Sequence, residues 1–277
     1  MTPPLGGRIH SGGETYTHGH DNSVLRSHRW RTAENSAGYL LRSLEPGQHL
    51  LDVGCGPGTI TIDLAARVAP GTVVGIDDAA AVIAEAEELG KRRNTTNVAF
   101  ATGNVYNLAF EDKTFDVAHA HQLLQHLRNP ERGLREMRRV LRPGGLLAVR
   151  DSDYAAFAWA PRDPHLDRWL ELHHQVTVHN GAEANAGRCL LGWVQAAGFS
   201  NIQTGSSTWT FADREARAWW GGLWADRMQL SSFADQAIAY RLSDRDELQA
   251  LANAWRRWAL QPAGFFAVVH GEVLAHR

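Results

Sequence analysis

The stretch HLLDVGCGPGTITIDLA, residues 49–65, decides the fold. An apolar run, a glycine-rich corner and an apolar-periodic segment follow one another. That is the order of a strand, a tight turn and a helix whose N-terminus faces a ligand. Glycines stand at 54, 56 and 58. A dinucleotide loop of the G-x-G-x-x-G kind needs its third glycine where this chain carries Thr59, and Pro57 sits where that loop would approach a pyrophosphate. No G-x-x-x-x-G-K-[ST] loop is present. Asp52 lies directly before the glycines, where a carboxylate repels a pyrophosphate but suits a cationic amino group. Asp77 ends the next apolar run, within the ~20-residue offset of a carboxylate that grips ribose hydroxyls.

Outward from this corner, strand and helix alternate as far as Asp151. HLLDVG, GTVVGID, NVAFATGN, FDVAHAH and GLLAVRD are strand-like. TITIDLAARV, AAAVIAEAEELGKRR and NPERGLREMRRVL are helical by spacing, the last with Asn129 as N-cap and Pro130 in its first turn. Such alternation predicts an α/β fold: a mostly parallel sheet with helices on both faces, and the ligand at the carboxyl ends of the strands. A helix is expected from about Ser27 to Leu44, stopped by Pro46 and Gly47. Beyond Asp151 the alternation breaks. Residues 152–186 are rich in aromatics, a helix follows from about Gly187 to Ala197, and AGFSNIQTGSSTWTF is strand-like. Residues 213–260 look helical, and a last strand covers about 265–276. The expected organisation is an N-terminal segment with a covering helix (1–44), an α/β core (45–151) and lid insertions with the final strands of the same domain (152–277).

Four segments in order carry a resemblance. LLDVGCGPGTITIDLA resembles motif I of class I S-adenosylmethionine (SAM)-dependent methyltransferases, and VVGIDDA their ribose-binding motif. FATGNVYNLAFEDKTFDVAHAHQLLQHL and LREMRRVLRPGGLLAVRD resemble their later motifs, and the nearest type is the UbiE-like small-molecule branch. The resemblance implies a Rossmann-like seven-stranded sheet with the last strand antiparallel, and SAM as cofactor. It places Asp52, Gly54, Cys55, Gly56 and Gly58 around the methionine and adenosine parts, and Asp77 on the ribose diol. Asp78 and Ala79 would lie beside the adenine. Asn104 stands where the family has Asp, and an Asn oxygen still accepts from the adenine amino group. Val105 would follow, and Ala120 and His121 would close the pocket. In the N-terminal segment, Tyr16, His20 and Arg31 are candidates for the SAM carboxylate, which favours an Arg fork.

A sulfonium methyl group is already activated, so alignment and exclusion of water come before any base. Catalytic candidates are His121, His126, Asp151 and Tyr154, with His119 and Asp153 nearby and helix capping as the plain alternative for Asp151. The aromatic load suggests an apolar or aromatic acceptor, with Tyr154, Phe157, Trp219, Trp220 and Trp224 as its lining. A quinone precursor or secondary metabolite fits. The alternatives are a protein or RNA substrate, a non-catalytic SAM-binding module and, disfavoured by Thr59, a nicotinamide dehydrogenase. A formal net charge of -2 and the absence of a basic tract disfavour nucleic acid. The pairs HGH (18–20), HAH (119–121) and HH (173–174) have no third ligand at a recognisable spacing, so no metal is expected. Two distant cysteines, no signal-peptide core and no long apolar run make the cytoplasm the expected location.

Overall fold

The computed structural model describes Tyr16, Thr17, Gly19 and residues 22–277, with the backbone alone at 22 and 23. The five expected core strands are β1 (Leu50–Val53), β2 (Val73–Asp77), β3 (Val98–Thr102), β4 (Phe115–His121) and β5 (Leu141–Ser152). Between them run α3 (Thr59–Val68), α4 (Ala80–Arg92) and α5 (Pro130–Val140), after the shorter α1 (Asn22–Arg29) and α2 (Ala33–Ser36). Asn129 caps α5 by accepting from the Arg132 N–H at 3.0 Å. The remainder comprises β6 (Ala158–Ala160), α6 (Pro164–His179), α7 (Ala186–Ala196), β7 (Ser200–Phe211), α8 (Arg214–Leu230), α9 (Ser232–Ala239), α10 (Arg245–Ala259) and β8 (Phe265–His276).

The strands pair in the order β3-β2-β1-β4-β5-β8, parallel until β8, which runs antiparallel to β5. β7 pairs with β8 from end to end. Ala267 of β8 is opposite both Ala158 of β6 and Thr210 of β7, so β6 and β7 take opposite edges of β8. β6 therefore continues the lane of β5 after a break at 153–157. The sheet has the seven lanes expected, with a short eighth strand in the fifth lane.

Successive residues of a strand face opposite sides, and the packing follows. Leu50 and Val117 join Leu64, Val68 and Leu40 on one face. Leu51 and Ala118 join Leu134, Met137, Leu190 and Val194 on the other. A third cluster stands over the β6 end of the sheet, where α6, α8 and α10 pack around Trp169, Trp224 and Trp255.

The helix expected from Ser27 to Leu44 is not continuous. It stops at Arg29, restarts at Ala33 and ends in a 3₁₀ turn at Leu41–Ser43. Thr32 causes the restart. Its hydroxyl accepts from the Asn35 N–H at 3.2 Å, and Asn35 Oδ1 accepts from the Thr32 N–H at 2.9 Å. This reciprocal cap begins a new helix and leaves Arg31 in the break.

Two of the tryptophans expected to line a pocket are core. Trp224, 1% exposed, packs edge-on against Trp169 at 4.5 Å. Trp219 is half-buried against Trp30 and Phe211. Trp224→Ala is expected to lower the unfolding free energy by about 3–5 kcal/mol in urea titrations, as for buried tryptophans in general. Trp219→Ala, which removes less buried surface, is expected to cost less than half as much.

Candidate active site

The glycine corner hangs from the end of β2. The N–H groups of Gly54 and Cys55 donate to the Ile76 carbonyl at 2.8 and 2.9 Å. The Gly56 N–H donates to Asp77 Oδ2 and the Ala79 N–H to Asp77 Oδ1, both at 3.1 Å. Gly58 has φ +80°, and a Cβ there would meet Phe100 and Ala86 within 3 Å. Gly56 has φ +54°, and a Cβ there would meet only the His28 ring, at 3.9 Å. The backbone at 56 thus borders open space. Thr59 has a use of its own, because its hydroxyl donates to the His28 carbonyl at 3.3 Å and ties α1 to the corner.

One cavity follows the carboxyl edge of the sheet. Strand order sets its sequence of walls. Asp77 and Asp78 stand at β2, Gly54, Cys55 and Gly56 at β1, His121, Gln122 and Leu123 at β4, and Ser152 and Tyr154 at β5. Phe157, Trp209, Trp220 and Val268 close the far end. Asn104 and Val105 lie beside the β2 end, and Tyr16, Arg31 and His126 also line the space.

Asp77 is half-buried, and the loss of solvent around it pushes its carboxyl up to about 6. Asn104 Oδ1 accepts from the Tyr106 N–H at 2.8 Å, a local turn. Burial raises the Cys55 thiol. Arg31 donates from Nη2 to Gln122 Oε1 at 2.6 Å and lies 5.6 Å from the centre of the Trp209 ring. Tyr16 meets the His126 ring edge-on at 4.6 Å, and burial pushes its hydroxyl up to about 12. The Tyr16 carbonyl accepts from Gln236 of α9, which holds Tyr16 at the cavity.

Several expectations need correction. Asp52 is 2% exposed, and its oxygens accept from Thr61 Oγ1 at 2.6 Å and pair with His119 Nδ1 at 2.7 Å. It borders the cavity with its carboxylate already engaged by Thr61 and His119. Ala120 faces the core cluster beneath the sheet, and His121 and Gln122 form the wall instead. Asp151 is outside the cavity lining. Its Oδ1 accepts from the Gln125 N–H at 3.1 Å and caps the turn at Leu124–His126, the plain role. Asp153 is held by a two-pronged pair with Arg188 at 2.6 and 2.7 Å. Trp219 and Trp224 are absent from the lining, whereas Trp220, Tyr154 and Phe157 are in it. His20, with His10 and His18, lies outside the described residues. Among the described residues no group of three His, Cys, Asp or Glu is placed to hold a metal, and no helix is long and apolar enough to cross a membrane.

Sequence reasoning missed Gln122, Ser152, Trp209 and His270. Gln122 has φ +51°, an uncommon backbone for a non-glycine residue. Its Nε2 lies 2.7 Å from Ser152 Oγ and 2.8 Å from His270 Nε2. The alternation in Thr-Trp-Thr-Phe (208–211) is the signal that would have turned Trp209 and Phe211 to one face.

A family model described as a methyltransferase domain matches residues 44–210. The chain belongs to that family. It is an S-adenosylmethionine-dependent methyltransferase of class I. An uncharacterized methyltransferase of Schizosaccharomyces pombe is 34% identical over 267 residues, 94% of this chain and 95% of that protein. A probable methyltransferase of Aspergillus luteorubrus is 30% identical, over 94% of this chain and 96% of its own. A demethylmenaquinone methyltransferase of Symbiobacterium thermophilum is 38% identical over 106 residues, 36% of this chain and 41% of that one. The YcgJ protein of Bacillus subtilis has the same fold, with a TM-score of 0.57 at 19% identity, over 87% of this chain and 97% of its own.

The methyltransferase's cavity fits its cofactor on three observations. Gly56 leaves room for close approach, where a side chain would be strained. Asp77 has about four acceptor positions, two taken by backbone N–H groups, which leaves two for a diol. Arg31 lines the cavity with a buried Nε that has no protein partner.

Proposed function

We propose that the methyltransferase acts on a small, largely apolar aromatic acceptor, a quinone precursor or a secondary metabolite, by in-line displacement. One observation carries this reading. The strand order joins a cradle of glycines and carboxylates to an aromatic chamber of Tyr154, Phe157, Trp209 and Trp220 in one continuous cavity. Aromatic walls favour planar ligands. Support also comes from the demethylmenaquinone methyltransferase among the relatives.

SAM supplies an activated methyl group on a sulfonium. The protein's part is to bind, orient and keep water out. Gly54, Cys55, Gly56 and Gly58 would border the cofactor, Asp77 would accept from its ribose diol, and Asp78 and Val105 would flank the adenine. Asn104 Oδ1 keeps one lone pair for the adenine amino group, because Tyr106 N–H takes the other. Arg31, whose buried Nε has no protein partner, would receive the carboxylate, with Tyr16 closing over it. Asp52 would act at one remove, by fixing β1 against β4. Beyond the methyl group, Tyr154 is held flat by the stacked His173 ring, 3.8 Å away and 10° from parallel. The region 152–277 would then serve as the acceptor-binding lid, and 1–44 as the cover over the cofactor.

Calorimetry with S-adenosylhomocysteine tests the cofactor half. Asp77→Asn is expected to weaken binding about 10- to 100-fold, the loss of charged hydrogen bonds to a diol. Because burial raises the Asp77 carboxyl to about 6, the ionised acceptor is present above that pH and lost below it. Affinity in the native protein should therefore be level from pH 7 to 8 and fall from pH 6 to 5. Constant affinity down to pH 5 counts against the assignment.

Phe157→Ala tests the acceptor half. It is expected to raise KM for an aromatic acceptor about tenfold while S-adenosylhomocysteine binding is unchanged, a loss in the range of a truncated apolar contact. Transfer of labelled methyl groups into protein or RNA of a lysate, with none into small aromatic compounds, would overturn the proposal.

A further inference from the structure

His121 is a buried group of the cavity wall whose place in the reaction the preceding reading leaves open. It is 5% exposed, ends β4, and stands 5.7 Å from the Trp209 ring and 6.1 Å from the His270 ring. Neither of its nitrogens has a protein partner among the described residues. A buried polar ring without a partner, at a cavity wall, is costly unless a ligand completes it.

The charged groups around it come from five elements. Arg31 enters from the break after α1, Arg150 and Asp151 from β5, His270 and Glu272 from β8, His119 from β4 itself and Asp52 from β1. Of the three carboxyl groups, Asp52 borders the cavity with both oxygens engaged, and Glu272 and Asp151 lie outside its lining. Glu272 lies against Arg150 at 3.1 Å and accepts from Ser207 at 2.5 Å. Asp52 is held by His119 and Thr61, and Asp151 caps the turn below. Donors predominate on the cavity side. Arg31 holds Gln122 Oε1 and so turns the amide nitrogen of Gln122 toward Ser152 and His270. Burial first, then Arg31, Arg150, His270 and His119, keep the His121 ring well below its ordinary range. An imidazolium is therefore disfavoured here, and the ring is a poor store for a proton taken from an acceptor. The same surroundings favour a negative charge.

We propose that the acceptor reacts as an oxyanion, an aromatic or enolic hydroxyl that has lost its proton to solvent on entering the cavity, and that neutral His121 positions this oxygen as a hydrogen-bond donor. The proposal rests on the aromatic-acceptor reading. The oxygen lone pair forms the C–O bond as the C–S bond breaks, the sulfur keeps that electron pair, and a methyl ether and a neutral thioether result. No protein base takes part.

The experiment uses the full chain and two chromophoric phenols, 4-nitrophenol and 4-nitro-1-naphthol, whose anions absorb in the visible. Their neutral control is 4-nitroanisole. Absorbance titrations are made without cofactor and with S-adenosylhomocysteine. The bound phenols should ionise at least about one pH unit below the free ones, which is a tenfold preference for the anion. His121→Phe should weaken anion binding about tenfold and leave 4-nitroanisole binding unchanged. In turnover, the rising limb of the kcat/KM–pH profile should move with the solution pKa of the acceptor. A limb that stays in place for acceptors of different pKa, or 4-nitroanisole binding as tightly as the anions, overturns the proposal and leaves the aromatic reading standing. Binding of none of the three overturns both.

Discussion

The contact on which the site depends is the buried bridge from Asp52 to His119 and Thr61. A carboxyl group at 2% exposure costs several kcal/mol unless its oxygens are hydrogen-bonded. Here one oxygen meets the His119 ring of β4 and the other the Thr61 hydroxyl of α3. The three elements are pinned at the level where β1 gives way to the glycines. Because residues two apart on a strand share a face, fixing His119 beneath the corner also aims His121 above it. The glycine backbone and the one unpartnered histidine of the wall are thus set by the same interaction.

The region 152–277 meets a different constraint. Its helices bury a cluster of tryptophans against one another. Trp169, Trp224 and Trp255 interlock edge-on and stacked, and Phe266 of β8 joins them. That rigid mass lets the cavity be lined from its edges, by Trp220 from α8 and Trp209 from β7. The break in the fifth lane has the matching effect. At 153–157 the chain leaves β8, which places Tyr154 and Phe157 in the cavity before β6 resumes the pairing.

The local parts of this arrangement were legible in the sequence. Glycines at 54, 56 and 58 and a carboxylate at 77 are a short-range pattern, and β1 to β5 follow from alternation within a few residues. So does β8, whose bounds match the expected 265–276. What escaped depends on distant partners. The partners of Asp52 at 61 and 119 are not announced by anything near it in the sequence. Asp151 looked catalytic until the turn at 124–126 arrived above it. The broken helix at 30–32 follows from a local cap at Thr32, legible in principle, but its consequence is the placement of Arg31 on Gln122, 91 residues away. Among the tryptophans, helical spacing separated the faces of α8 without telling which face met protein and which met the cavity.

Polarity along the cavity links these elements to chemistry. Carboxylates gather at the β2 end, where Asp77 and Asp78 line the cavity. Donors and cations gather past β4, where Arg31, Gln122 and His121 stand in front of Arg150 and His270. A methyl donor that carries positive charge at sulfur adds to the second region at the point of reaction. A neutral nucleophile attacking there would have to develop positive charge among cations. An anionic nucleophile instead loses its charge as the sulfonium loses its own, and the surrounding dipoles need little rearrangement. Burial first, and then the same positive field, keep a proton off the His121 ring. On the proposed course of reaction, a buried histidine without a partner and a transfer without a base are two consequences of one electrostatic layout.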